Sequence, residues 1–363
     1  MLHVTPVQRT DVSVLYCTEQ ALAGGVMRKR PQDDVPSHKR PLLSLPDETI
    51  SEIFIRFLPL YPEPPPLAGR YSPIVLTHIC HRLREIARAT PELWRAINLV
   101  SLLHQRAGKD AALGGPIWLD SSGCLPISLK YDCHYEAMQD SLDGGLLATL
   151  VQYRSRWEHL VLYQGDLRQL DAISAPLPLI RTLTLVCARR VPGSTVPTTT
   201  VALHSCNLPQ LHSVHLVFIE PMSITLPWHQ LTSLELGGIS FDDALVAFEQ
   251  AEALITLKLD IYHSPFQSGG ATLVFSFLKT LQIVPYWAQH GLFHLMTISA
   301  PALRTLHISE HILGGGTSER ICSLQEFITI SGCSLHELRI VDANMSETTY
   351  RTAFPGIQFI EVL

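Results

Sequence analysis

The feature that most constrains this chain is a six-residue pattern that returns eight times from residue 157 onward: apolar, two variable, apolar, one variable, apolar. The copies are WEHLVL from Trp157, IRTLTL from Ile180, LHSVHL from Leu211, LTSLEL from Leu231, LITLKL from Leu254, LKTLQI from Leu278, LRTLHI from Leu303 and LHELRI from Leu335. The closing apolar–variable–apolar step has the two-residue period of a strand that buries one face. The sequence therefore predicts one short strand per copy. Prolines often lie just ahead, as in APLPLIRTL, NLPQLHSV and SAPALRTL, and mark turns or loops between strands. FDDALVAFEQAEAL between two copies reads as a helix with Leu245, Phe248 and Ala251 in register. LPISLKY (125–131) reads as an extra early strand, and LLATLVQYRSRW as a helix covering the first copy.

Most starts are separated by the ~20–29 residues of a leucine-rich repeat. Repeats of that kind stack as strand, loop or helix, strand. The expected fold class is accordingly α+β or an α/β solenoid. A small three-helix module would be followed by an irregular leucine-rich-repeat-like arc with a short-strand sheet. The asparagine that usually follows the strand is missing, so no asparagine ladder ties the turns and the arc is expected to be uneven.

Stacking in register would align equivalent positions into columns. The third positions read His159, Thr182, Ser213, Ser233, Thr256, Thr280, Thr305 and Glu337. Neighbouring hydroxyls across strands contribute roughly 0.2–1 kcal/mol per pair, so this column reads as structural. The fifth positions are Val161, Thr184, His215, Glu235, Lys258, Gln282, His307 and Arg339, diverse and of both charge signs. Distinct local complementarity is what recognition needs. His215, Glu235, Lys258, Gln282, His307 and Arg339 are therefore the candidate target-binding residues. The alternative is a merely solvated sheet with binding by loops.

The N-terminal third divides differently. Residues 1–42 lack a periodic apolar face and read as a flexible tail; Arg28-Lys29-Arg30 and Lys39-Arg40 form a candidate bipartite import signal or a solvated linker. In residues 43–100, LLSLPDETISEIFIRFL reads as an amphipathic helix, with Pro46 at its start and Asp47 and Glu48 in its first turn. Ile50, Ile53, Phe54 and Phe57 fall at helical spacing. LPLYPEPPPLAGRY holds too much proline for helix and reads as an extended loop. A second helix is expected from Ser72-Pro73 and a short third from Thr90-Pro91-Glu92, with Leu93, Trp94 and Ile97 on its apolar side. Residues 101–156 connect this segment to the repeat region and cap it, and 157–363 form the repeat region.

The ordered series Leu45-Pro46-x-Glu48, Ile53-Phe54, Ile79-Cys80-His81-Arg82-Leu83-Arg84 and Pro91-x-Leu93-Trp94-Arg95 resembles the F-box. The likeness is to F-box proteins of mushroom-forming fungi, which carry a similar proline-rich insertion after the first helix and irregular repeats in the C-terminal half. It covers about a sixth of the chain and departs from many F-boxes in having Leu83 where they have tryptophan. The resemblance implies docking onto the Skp adaptor of a cullin–RING ubiquitin ligase. Leu45, Pro46, Ile50, Ile53, Ile79, Cys80 and Leu83 would lie at or beneath that contact, Trp94 in the small core, and the repeat region would hold a target protein. The competing readings are a plain three-helix piece of a larger core and a repeat scaffold that engages no ligase.

Composition and motifs bound the remaining classes. With 46 % hydrophobic and 17 % charged residues among 363, the chain can bury a large core. A net charge of −6 opposes general nucleic-acid binding, which needs a basic stripe. No apolar run is long enough for a membrane span, and Arg9 and Asp11 interrupt any secretory signal. Eight cysteines form no CxxC pair, so no zinc site is expected, and reduced thiols in the cytoplasm or nucleus are. No GxSxG, Walker loop or GxGxxG–helix element is present, and Gly314-Gly315-Gly316 reads as a turn. His212 and His215 would face opposite sides of a strand, and Cys133-His134 lacks companion ligands. The expectation is a noncatalytic chain without cofactor or metal.

Overall fold

The computed structural model describes residues 41–100, 118–132, 145–164, 175–187, 201–203, 207–261, 273–285 and 298–363. The chain forms two compact units, Met1–Ser44 and Leu45–Leu363. Of the first, the described part is a 3-10 turn, Pro41–Ser44. The basic pairs of the tail and Cys133-His134 lie outside the described residues.

The second unit is built on one eleven-stranded sheet. Its strands are β1 (Ala96–Asn98), β2 (Ile127–Asp132), β3 (Trp157–Gln164), β4 (Thr182–Cys187), β6 (Ser213–Val217), β8 (Ser233–Ile239), β9 (Thr256–Ile261), β11 (Thr280–Pro285), β13 (Thr305–Ser309), β14 (Glu337–Val341) and β15 (Phe359–Val362), side by side in chain order. Every pairing between them is parallel. Two two-stranded parallel pairs lie among the connections: β5 (Val201–Ala202) with β7 (Ile224–Thr225), and β10 (Leu273–Val274) with β12 (Ile298–Ser299).

The repeated six residues explain the sheet. The opening apolar residue, from Trp157 through Leu335, is buried in every copy. The second residue starts a backbone ladder: His212, Thr232, Ile255, Lys279, Arg304 and His336 each donate N–H to the carbonyl of the equivalent residue one strand earlier, at 2.8–3.1 Å. The fourth residues, Leu160, Leu183, Val214, Leu234, Leu257, Leu281, Leu306 and Leu338, then form one registered row, with Leu162, Leu185, Leu216, Leu236, Leu259, Ile283, Ile308 and Ile340 two residues further on. Both rows are buried. At about 1.5–3 kcal/mol per buried side chain, these rows are the main source of stability in the unit.

Seven helices lie among the described residues: α1 (Asp47–Phe57), α2 (Ile74–Ile79), α3 (His81–Arg88), α4 (Gly145–Val151), α5 (Phe241–Phe248), α6 (Thr317–Ser331) and α7 (Glu347–Ala353). Ser240 caps α5 by accepting from Asp243 N–H at 3.1 Å, and Ser346 caps α7 through Thr349 N–H at 3.4 Å. α6 ends on Gly332, whose φ of 62° suits glycine.

The expected fold class is corrected on two counts. First, residues 43–100 do not form a separate three-helix module. The second helix breaks at Cys80, which is extended, and Arg84 Nε takes the Thr77 carbonyl at 2.7 Å that an unbroken helix would offer to residue 81. The third is only a 3-10 turn, Pro91–Leu93, and the chain runs straight into β1 of the large sheet. Trp94 packs edge-on against Trp118, 5.1 Å between centroids, so its core is shared with later residues. Second, the rest is not an irregular leucine-rich-repeat arc. It is an α/β fold on a single parallel sheet whose register shifts only within the β2–β3 and β8–β9 pairs. The unevenness read from the sequence belongs to the connections, which among the described residues carry helices between β2 and β3, β8 and β9, β13 and β14, and β14 and β15, and 3-10 turns or two-residue strands elsewhere.

Candidate interaction surfaces

Opposite the buried leucine rows, the sheet presents a polar face. Parallel pairing in register carries the fifth position of every copy onto its neighbour: Val161 to Thr184, His215, Glu235, Lys258, Gln282, His307 and Arg339 in turn, with Lys130 before and Glu361 after. All six candidate target-binding residues thus lie in one row. The third positions form the adjacent row, from His159 through Glu337. Its hydroxyls meet partners near the ends: Thr182 Oγ1 lies 2.8 Å from His159 Nδ1, and Thr305 donates to Glu337 at 3.3 Å.

Electrostatics along the charged row are local. Lys258 Nζ lies 3.3 Å from Glu235 Oε2, and His215 Nε2 lies 3.5 Å from Glu235 Oε1. Burial pushes His215 below its ordinary pKa although Glu235 pulls the other way. Burial, with the Arg339 charge, also lowers His307, and His307 Nε2 is sheltered without a hydrogen-bond partner. Arg339 Nε bridges Glu337 at 2.6 Å and Glu361 at 3.3 Å.

A third row, two residues beyond the charged one, was outside the six-residue reading: Tyr163, Val186, Val217, Gly237, Asp260 and Val284. Asp260 is its charged member. Burial, then Glu235, raises its pKa from 3.8 to about 6. The signal for this row was the strand alternation itself, which runs past the sixth residue of each copy.

The proline-rich loop after α1 covers the β2–β3 end of the polar face. Tyr61 donates to Glu158 at 2.9 Å, packs edge-on to His159 and lies under the Arg95 guanidinium, 3.5 Å from the ring centroid. Ser128 donates to the Pro62 carbonyl at 2.7 Å, and Lys130 pairs with Glu63 at 2.8 Å. The loop that the sequence reads as an insertion of unassigned placement is thus part of the sheet's surface.

The helices carry a second surface, apolar and exposed. The apolar residues of α1 divide by position: Ile50 and Phe54 are buried, whereas Ile53 and Phe57, one turn apart, are exposed. Phe57 lies against Tyr71, 6.3 Å between rings, and Val75 and Ile79 on α2 are exposed as well. Of the residues matched to the adaptor contact, Pro46, Ile53 and Ile79 are exposed, Leu45 and Cys80 half-buried, and Ile50 and Leu83 sit in the core. Phe57, Val75 and Tyr71 are surface residues that the motif match does not include, although Phe57 shares the helical spacing of Ile50, Ile53 and Phe54. Beside this surface, Arg82 holds α1 and α3 together through Asp47 at 2.5 Å and the Leu45 carbonyl at 2.8 Å. Asp47, Glu48, Ser51, Arg82, Glu85, Ile86 and Ala89 line a shallow cleft of about 300 Å³ there.

Among the described residues no group of three His, Cys, Asp or Glu side chains is placed to hold a metal ion, and no helix is long and apolar enough to cross a membrane. No protein-family model matches the chain, and no curated protein matches it.

Proposed function

We propose that this chain is a noncatalytic substrate-recognition subunit of an SCF-type cullin–RING ubiquitin ligase. In this reading the Skp adaptor docks on the apolar surface of α1 and α2, and the polar face of the sheet holds a target protein. The observation that carries it is the exposure of Ile53, Phe57, Val75 and Ile79 on the helices that bear the F-box-like series. Apolar side chains left outward on two neighbouring helices are the usual mark of a protein contact. The work of such a subunit is proximity: it brings a bound protein to transfer chemistry carried by other subunits. A cytoplasmic or nuclear setting accords with the free thiols of Cys80, Cys124, Cys322 and Cys333.

Co-purification with the Skp adaptor tests this, comparing wild type with Leu45→Ala, Pro46→Ala. Binding lost only in the variant supports the ligase reading. Absence of binding in both leaves a protein-interaction scaffold with no ligase, a reading favoured by the burial of Ile50 and Leu83, which serve the core with or without an adaptor.

A further inference from the structure

Most charges on the polar face already have a partner within the chain. Lys130 pairs with Glu63, Lys258 with Glu235, and Arg339 with Glu337 and Glu361. Asp260 differs. Its register neighbours are Gly237 on β8 and Val284 on β11, neither of which offers a side-chain donor. Its Oδ1 is sheltered from solvent and has no hydrogen-bond partner among the described residues, and the charged group that acts on it is the carboxylate of Glu235. A carboxylate that is half-buried, repelled and short of donors is unfavourable in the isolated chain, and a partner's cation relieves all three conditions at once.

We propose that the polar face around Asp260 seats a basic segment of the target polypeptide, with an arginine or lysine side chain against the Asp260 carboxylate. The inference rests on the reading that this face binds a protein, but not on the ligase. Charge complementarity selects the occupant. Both cations on this part of the face are taken up by carboxylates, so the charge left to attract a partner is negative, and an acidic or phosphorylated segment would meet repulsion. Val217 and Val284, half-buried in the same row, offer apolar surface to the methylene stem of a lysine or arginine. Gln282, between Lys258 and His307 in the charged row, adds a polar group for the peptide near the same place.

The test is selection of short random peptides displayed on phage against the full chain, wild type, Asp260→Asn and Asp260→Lys. The expected result is a basic residue fixed at one position in peptides selected by wild type. These peptides should bind Asp260→Asn about tenfold more weakly, and Asp260→Lys should select acidic residues instead. Wild-type peptides without a basic position, peptides enriched in acidic residues, equal binding to Asp260→Asn, or no selected peptide at all would each overturn the proposal. Thermal melts of the three proteins verify the fold. Co-purification of the same proteins with the Skp adaptor keeps the two questions apart: basic peptides without Skp binding overturn the ligase reading alone, and Skp binding without basic peptides overturns this one alone.

Discussion

The two ends of the polar face differ in who answers their polar groups. At β2 and β3 the chain does so itself: Tyr61, Pro62 and Glu63 of the proline-rich loop meet Glu158, Ser128 and Lys130. At β9 to β13, Asp260 Oδ1 and His307 Nε2 are sheltered yet unpartnered. The β2–β3 pair carries a register shift that the β9–β11 and β11–β13 pairs lack, and the proline-rich loop lies over it. A polar group answered by the chain's own loop adds to stability, whereas a sheltered group left unmet costs it.

The comparison can be broken or sharpened in four steps, from the largest expected effect downward. Leu281→Ala, on the buried side of β11, should lose about 2–5 kcal/mol in denaturant unfolding, while Gln282→Ala beside it on the polar face should change stability by less than about 0.5 kcal/mol. Comparable losses would mean that the polar face is a second core. Tyr61→Ala removes a hydrogen bond and a stacked guanidinium and should cost about 2 kcal/mol, with faster amide exchange in 128–132; unchanged exchange there would detach the loop from the covered end.

Asp260→Asn should act in the opposite direction. The folded chain holds the Asp260 proton more tightly than the unfolded one, because the pKa rises from 3.8 to about 6. The stability it contributes is therefore complete below pH 3.8 and is lost as pH rises through about 6. The variant should be more stable than wild type by about 1 kcal/mol near pH 8, after allowance for solvent screening, and the two should converge in acid. A gap independent of pH would remove Asp260 from the account. The smallest effect is expected for Glu63→Ala, which breaks the solvent-screened pair with Lys130 and should cost about 0.2–1 kcal/mol, less at high salt.

What was legible in the sequence followed from short-range periodicity. Alternation predicts the strands and which residues share a face, and the register places His215 through Arg339 in one row. The apolar stripe of α1 was legible too, but spacing alone does not separate Ile50 and Phe54 from Ile53 and Phe57; the packing of α3 and the Pro91–Leu93 turn against α1 decides that. The break at Cys80, where Arg84 reaches back to the Thr77 carbonyl, is not visible in the apolar spacing, which continues across it. The contacts of Tyr61 with Glu158 join residues far apart in sequence, and they turn a supposed insertion into a cover for the sheet. Asp260 was missed because the repeated unit was cut at six residues although β9 runs on to Ile261. The fold class failed for a related reason: repeat spacing describes how often strands return, and it does not reveal that β1 joins the helical segment to the same sheet.

The central claim is that the outward apolar residues of α1 and α2 bind the Skp adaptor while the polar face serves another partner. Titration calorimetry of the purified adaptor against the full chain tests it most directly, with Ile53→Asp, Ile79→Asp and Glu235→Ala, Lys258→Ala as paired double variants. Both sites lie on the surface, so thermal melts should show each variant folded. The account predicts binding by wild type, affinity reduced at least about tenfold in the first variant, and affinity unchanged in the second. No heat of binding with wild type, or equal affinity for all three proteins, would contradict it.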